Sequence, residues 1–257
     1  MRNTAPVRVT DDAGIRVIAI DRPQHRNAVD REAAQALYEV FLDFETTKDL
    51  HIAVLTGADG TFCAGADLKA VAQGDPNEVT QHRSAEIGDT LGPMGPTRLR
   101  LSKPVIAAIE GFAVAGGLEL AIWADLRVAA SDAVLGVFCR RWGVPLIDGG
   151  TFRLPRLIGS GRAMDLILTG REVGAVEAHE IGLVDRLAEP GGALDAAVAL
   201  AASIRAHPQG CLRADRMSAL QQWGESEQEA LSAEVRRGSQ VLAAAAEGAT
   251  RFSQRRT

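Results

Sequence analysis

Pro104-Val105-Ile106-Ala107-Ala108-Ile109-Glu110-Gly111-Phe112-Ala113-Val114-Ala115-Gly116-Gly117-Leu118-Glu119-Leu120-Ala121-Ile122-Trp123-Ala124-Asp125-Leu126-Arg127-Val128-Ala129-Ala130 carries the plan of the chain. Val105 to Ile109 is a continuous apolar run between Pro104 and Gly111, which is the pattern of a short, fully buried strand. After Ala115-Gly116-Gly117, the residues Leu118, Ala121, Ile122 and Trp123 recur at a helical period, and the first turn carries one acid, Glu119. A strand, a glycine turn and a helix start bring free amide N–H groups and the positive end of a helix dipole to one place, where an oxyanion would be stabilised. Two readings stand: the turn binds such a group, or Gly116 and Gly117 only permit close packing and Glu119 complements the dipole.

Working outward, Ile15 to Ile20 predicts a strand, followed by the polar turn Asp21-Arg22-Pro23-Gln24-His25-Arg26-Asn27. Asp30 is placed to cap a helix with Ala34, Leu37, Phe41 and Phe44 on one face. Ile52 to Thr56 predicts another buried strand, and the stretch after it, Gly57 to Lys69, repeats the strand, small-residue loop and acid-bearing helix start. Residues 72–98 are dense in Gly and Pro and read as a mobile flap. Leu126 to Ala130 and Ala133 to Phe138 predict strands, Asp148-Gly149-Gly150-Thr151 introduces a helix, and Ala178 to Val184 reads as a return to the sheet. Interleaved strands and helices imply an α/β core over 1–190. Pro190-Gly191-Gly192 marks a boundary, and 191–257 reads as a helical segment over Leu194–Ala206, Gly210–Trp223 and Glu225–Ala246. Such a segment packs on another subunit or back on its own core.

Bulk properties narrow the function classes. With 257 residues, 46% of them hydrophobic, the chain can bury a large core. The net charge of −5, with scattered Lys and Arg and only a short basic tail at Arg251, Arg255 and Arg256, argues against a nucleic-acid or anionic-membrane surface as the main partner. The stretch Met1 to Pro6 lacks the apolar core of a leader and no run reaches membrane-spanning length, so a cytoplasmic protein is expected. Cys63, Cys139 and Cys211 are odd in number and far apart, suiting a reducing compartment. Neither they nor the histidines show metal-ligand spacing, so no metal is expected.

Three stretches together resemble the crotonase, or enoyl-CoA hydratase/isomerase, family: Phe62-Cys63-Ala64-Gly65-Ala66-Asp67-Leu68-Lys69, the run Lys103 to Leu120, and Gly149-Gly150-Thr151-Phe152-Arg153-Leu154-Pro155-Arg156-Leu157-Ile158-Gly159. Arg22-Pro23 with Arg26-Asn27-Ala28-Val29, Glu177-Ala178 with Gly182-Leu183-Val184, and Glu247-Gly248 with Phe252 extend the similarity over nearly the whole chain. The resemblance implies a spiral of repeated strand-strand-helix turns finished by a C-terminal helical segment that assembles homotrimers, in many members paired as dimers of trimers. It implies an acyl-CoA substrate and an enolate, with coenzyme A entering as part of the substrate and no separate cofactor.

By position in these motifs, the backbone N–H groups of Ala66 and Gly116 would form the oxyanion hole. The Arg26 to Ala28 loop and Ala64, Ala66, Asp67 and Leu68 would hold the CoA end. Glu119 falls where the family's hydratases place one of two catalytic glutamates; the second should stand at Cys139, where the carboxylate is missing. A thiol differs from a glutamate in reach and proton affinity, so Cys139 is either a proton donor or a small apolar wall residue. Asp148 stands where dienoyl-CoA isomerases of the family carry an aspartate; it either supplies the missing carboxylate or caps the helix beginning at Gly149. Arg140-Arg141-Trp142 reads as a surface or subunit-contact feature, with recognition of an acidic acyl group as the other reading. Three functions are therefore weighed: an enolate-forming hydratase or isomerase, an acyl-CoA-binding protein without turnover, and an RNA-binding relative, the last disfavoured by the acidic balance.

Overall fold

The computed structural model describes residues 5–79 and 90–254. The residues before Ala5, the centre of the 72–98 segment and the Arg255-Arg256 end of the basic tail lie outside the described residues. The chain divides into two compact units, Met1–Ala201 and Ala202–Thr257.

Among the described residues the first unit holds nine strands: β1 (Val7–Asp12), β2 (Ile15–Ile20), β3 (Ile52–Gly57), β4 (Val105–Ile109), β5 (Phe112–Val114), β6 (Leu126–Ala130), β7 (Val134–Gly136), β8 (Val173–Gly174) and β9 (Arg186–Ala188). A six-stranded sheet runs β1-β2-β3-β4-β6-β9, and a three-stranded sheet runs β5-β7-β8. Helices α1 (Arg31–Thr46), α2 (Leu68–Ala72), α3 (Gly116–Trp123), α4 (Gly150–Ile158), α5 (Ser160–Thr169) and α6 (Ala175–Glu180) interleave with them, and α7 (Ala193–Arg205) follows β9 and runs past the unit's end at Ala201. The large sheet is parallel from β2 to β9, and β3 and β4 are almost wholly buried apolar runs, as expected of strands covered on both faces.

The register shows the spiral implied by the resemblance. Each turn goes from a strand of the large sheet to a shorter extended segment of a second layer and then to a helix. The second-layer segments stack in line, Cys63 beside Ala113 and Ala113 beside Leu135, all parallel. That stacking brings the ends of successive turns, and hence the starts of α2 and α3, side by side.

Local chemistry explains the elements. The Asp30 carboxylate accepts the Ala33 N–H at 2.9 Å and starts α1, whose face of Ala33, Ala34, Leu37, Phe41 and Phe44 is buried. Phe41 packs edge-on against Phe44 and Trp123, so its loss would cost about 3–5 kcal/mol. Elsewhere the sequence expectations need correction. Residues 133–138 form only the short β7, because Phe138 opens a 3-10 turn to Trp142. Ala178 ends inside α6, and the return to the sheet is β9, further on. The segment around Pro93 is not a flap: Met94 and Thr97 are buried, and Gly92 and Gly95 bond each other's backbones in a tight turn. The first unit also extends past the Pro190-Gly191-Gly192 break, since Ala193, Ala197, Leu200 and Ala201 of α7 are buried.

The second unit contains α8 (Gln209–Gln221), α9 (Glu227–Val241) and α10 (Ala243–Gln254). Ser226 opens α9 with a reciprocal capping box to Glu229. The single helix expected over 225–246 is two, broken at Leu242. No helix among the described residues is long and apolar enough to cross a membrane.

Candidate active site

Two strand-to-helix junctions meet at a cavity of about 720 Å³. At the first, the short parallel bridge between Val29 and Ala66 sets the direction of every peptide group. Val29 N–H donates to Gly65 O at 2.8 Å and Asp67 N–H donates to Val29 O at 2.9 Å, so the N–H of Ala66, between them, points the other way. At the second, Ala115 sits at φ 55° and Gly116 begins α3, where an N–H has no partner within its own helix. Among the described residues neither the Ala66 nor the Gly116 N–H has an acceptor, and both residues line the cavity. A Cβ on Gly65, at φ 97°, would stand 3.0 Å from Gly116 N and 2.9 Å from Ala115 Cβ, which shows how closely the two junctions approach. Gly117 is equally constrained, since its Cβ would fall 2.1 Å from Cys63 O.

Glu119 lies one turn into α3 and is 2% exposed. Its Oε1 accepts the N–H groups of Asp148 at 2.9 Å and Gly150 at 2.8 Å. Burial, reinforced by the neighbouring Asp148 charge, pushes its carboxyl up to about 7, against the pull of those two amides and of Arg153. Asp148 is also buried; its Oδ1 accepts the Met94 N–H at 3.0 Å and the Thr97 hydroxyl. Desolvation raises its pKa, opposed by Thr97, Met94 and two arginines. Each carboxyl is thus anchored through one oxygen. Glu119 Oε2 and Asp148 Oδ2 carry no hydrogen bond among the described residues, and both residues line the cavity.

Asp148 does not cap the following helix. Gly149 is the N-cap of α4, with no side-chain cap bond, and the Asp148 carboxylate bonds residues far earlier in the chain. Arg153, in the first turn of α4, donates to the carbonyls of Asp148 and Thr97, each at 2.7 Å. Burial among these groups brings its pKa down to about 10.

A chain built this way has counterparts. The model of the enoyl-CoA hydratase/isomerase family matches residues 10–257. The chain belongs to the enoyl-CoA hydratase/isomerase family. It is 34% identical to the enoyl-CoA hydratase EchA19 of Mycobacterium tuberculosis over 93% of this chain and 90% of that protein. It is 38% identical to a carnitinyl-CoA dehydratase of Salmonella arizonae over 76% of this chain and 72% of that protein. The crystal structure of an enoyl-CoA hydratase from Mycobacterium tuberculosis superposes with a TM-score of 0.90, at 39% identity, covering 98% of this chain and 97% of that one.

In this member of the family, every site residue named from the sequence lines the one cavity, from Arg26 and Ala28 through Ala64 to Leu68 and on to Gly116, Glu119, Cys139 and Asp148. Cys139 lies in the 3-10 turn and is 5% exposed, and burial together with the Glu119 charge raises its thiol pKa, so it is a neutral S–H. Asp67 keeps its carboxylate for its own surroundings. Despite the desolvation of burial, the amides of Ala70 and Lys69 and the Arg22 guanidinium hold it below the usual carboxylate range, and His25 Nδ1 lies 3.2 Å away. Arg140 and Arg141 turn to carbonyls of Ile167 and Gly170, and Arg141 stacks 3.8 Å over the Phe138 ring, so the pair is a surface feature. Sequence reading missed Met94, Thr97 and Arg153. Arg153 stands inside a quoted motif, but its partners are far away in the chain and left no local mark. Among the described residues no cluster of three or more His, Cys, Asp or Glu side chains is arranged for a metal.

Proposed function

We propose that this protein binds an acyl-CoA thioester and stabilises its enolate, with the thioester oxygen between the N–H groups of Ala66 and Gly116 and with Glu119 as the principal acid/base. The observation that carries this reading is the pair of acceptor-free N–H groups beside a buried carboxyl brought to about 7. A group with that pKa is populated in both protonation states at neutral pH, so it can take a proton from one carbon and return it to another. Donors on two rigid turns stabilise charge that appears only as the enolate forms. Asp148, through its unengaged Oδ2, is the second carboxylate of the reaction. Cys139 is a neutral wall residue where the resemblance leads one to expect a second glutamate. This arrangement favours moving a double bond over adding water at full rate. The same lack of a second glutamate is what would favour the alternative, a binding protein without turnover.

The Arg26 side chain is exposed at the cavity and makes no hydrogen bond or ion pair among the described residues, its backbone alone bonding Pro23 and Ala64, which suits the guanidinium to the phosphates of the CoA nucleotide end. Leu220, Leu231, Val235, Leu242 and Phe252 are exposed in the second unit, and α8 and α9 bury none of their residues, which supports a homotrimer assembled through this segment. Free Cys63, Cys139 and Cys211 fit a reducing cytoplasm. Turnover of short- and medium-chain 2-enoyl- and 3-enoyl-CoA esters tests the reading. Conversion of 3-enoyl to 2-enoyl esters is expected, with weaker hydration; tight binding of every ester with no conversion of any would establish the binding protein instead.

A further inference from the structure

Asn77 is buried in the cavity wall, and its side chain does something that neither the motifs nor the acid/base groups explain. Its Nδ2 donates to Val29 O at 3.0 Å and to Pro93 O at 2.7 Å. The orientation of the amide is unambiguous, because the reverse would set its oxygen against two carbonyls. Oδ1 is buried with no partner among the described residues, a cost accepted to keep both donors engaged.

Both acceptors matter. Val29 O is the group that also receives Asp67 N–H and so fixes the direction of the Ala66 N–H. Pro93 precedes Met94, whose N–H holds Asp148 and whose side chain abuts Gly116: a Cβ there would lie 2.6 Å from the Met94 sulfur. One side chain therefore ties the Ala66 half of the site to the Gly116, Glu119 and Asp148 half. We infer that Asn77 is a positioning residue that sets the separation and direction of the two oxyanion donors relative to the carboxylates. The inference rests on the enolate reading above. It is independent of chain length or acyl substituents.

The experiment uses the full-length protein with Asn77→Ala, and Asn77→Ser as a variant that keeps one donor. Turnover is measured on the best enoyl-CoA, and the infrared carbonyl stretch is measured for bound, isotope-labelled butyryl-CoA, which has no double bond to move or hydrate. Misplacement by a fraction of an ångström to 1 Å predicts a loss of about ten- to a hundredfold in kcat for Asn77→Ala. KM is expected within about threefold of wild type, and the carbonyl stretch is expected to move back towards its value in water. Asn77→Ser is expected to lie between the two, and it carries the test alone if Asn77→Ala does not fold. Wild-type kcat and an unmoved carbonyl stretch in the folded variants would overturn the inference while leaving the enolate reading intact. If the wild-type protein itself shows no lowering of the bound carbonyl stretch, the oxyanion reading falls and takes this inference with it.

Discussion

The Ala66 and Gly116 junctions are built from the same parts and put their acids to opposite uses. Each follows a buried parallel strand, passes through small residues and enters a helix. At Ala66 the acid is the helix cap itself. Asp67 Oδ1 accepts Lys69 and Ala70 N–H, and the other oxygen meets Arg22 and His25, so both oxygens are occupied and the group stays ionised. At Gly116 the acid stands one turn further in, beyond reach of its own helix's free amides. Glu119 takes its anchoring amides from residues 148 and 150 through one oxygen, and burial raises its pKa to about 7. Displacement by one helical turn separates a carboxylate engaged through both oxygens from one engaged, among the described residues, through a single oxygen.

The largest effect should come from exchanging charge at the two acids. Glu119→Gln keeps the shape and removes the titrating group, so turnover should fall by about 10²–10⁴ while ester binding persists. Asp67→Asn should cost about 1 kcal/mol of stability and leave kcat within a few fold. Steady-state kinetics with a calorimetric melt distinguishes them; comparable kinetic losses in both variants would dissolve the contrast.

The next effect contrasts glycines. Gly65→Ala meets both a left-handed φ of 97° and a contact at 3.0 Å from Gly116 N, so it should disturb the donor pair and cost about 10²–10³ in kcat, the scale of one lost donor. Gly60→Ala, at φ 73° with open space around it, should lose only about 1–2 kcal/mol of stability. Both are measured in one assay and one denaturation series.

The two junctions were not equally legible. Val105–Ile109, Leu126–Ala130 and the Asp30 cap could be read because their signals are local: apolar runs, breakers and a capping side chain. Phe112–Val114 carries no local strand signal because its pairing partners, Cys63 and Val134–Gly136, are remote. Edge strand Val7–Asp12 has one buried residue and ends in two aspartates, so its pattern was polar. Asp148 offered two readings because capping is a local rule, whereas Met94 and Thr97 reach it only through the folded spiral. Arg153 and Asn77 were invisible for the same reason. The candidate oxyanion donors were found through the family motif, and their backbone directions came only with the register.

A smaller effect is on stability against pH, with opposite signs at the two acids. Glu119 has a raised pKa, so the folded state holds a proton that the unfolded state has released between about 4.5 and 7, and stability falls as pH rises through that window. Asp67 has a lowered pKa, so its contribution is present above the unfolded value and is lost as pH falls through the folded one. Glu119→Gln should therefore be more stable than wild type at pH 8, by at most about 3 kcal/mol at 1.36 kcal/mol per pK unit, with the difference vanishing near pH 4. Asp67→Asn should be less stable at pH 7, with its deficit shrinking in acid. Denaturant titrations at pH 4, 7 and 8 would show parallel curves if neither acid is coupled to folding.

The smallest expected effect is that of Asp148→Asn, and it decides whether Asp148 belongs with Glu119 or with Asp67. An asparagine in the same rotamer still offers an oxygen to the Met94 N–H and the Thr97 hydroxyl, so a purely structural Asp148 would be replaced with little loss. The charge is a different matter. Asp148 is the second cause of the raised Glu119 pKa, so its neutralisation should move the midpoint of the kcat/KM profile below about pH 7. If Glu119 acts as the base, wild-type kcat/KM rises with pH through about 7, and the variant's rise comes earlier. Loss of Oδ2 as a proton carrier should also lower the plateau by about tenfold, equivalent to 1.36 kcal/mol. A displaced midpoint with an unchanged plateau would leave Asp148 as an electrostatic neighbour of the base. An unchanged midpoint and plateau would place it beside Asp67, as a carboxylate whose work is to hold the fold together.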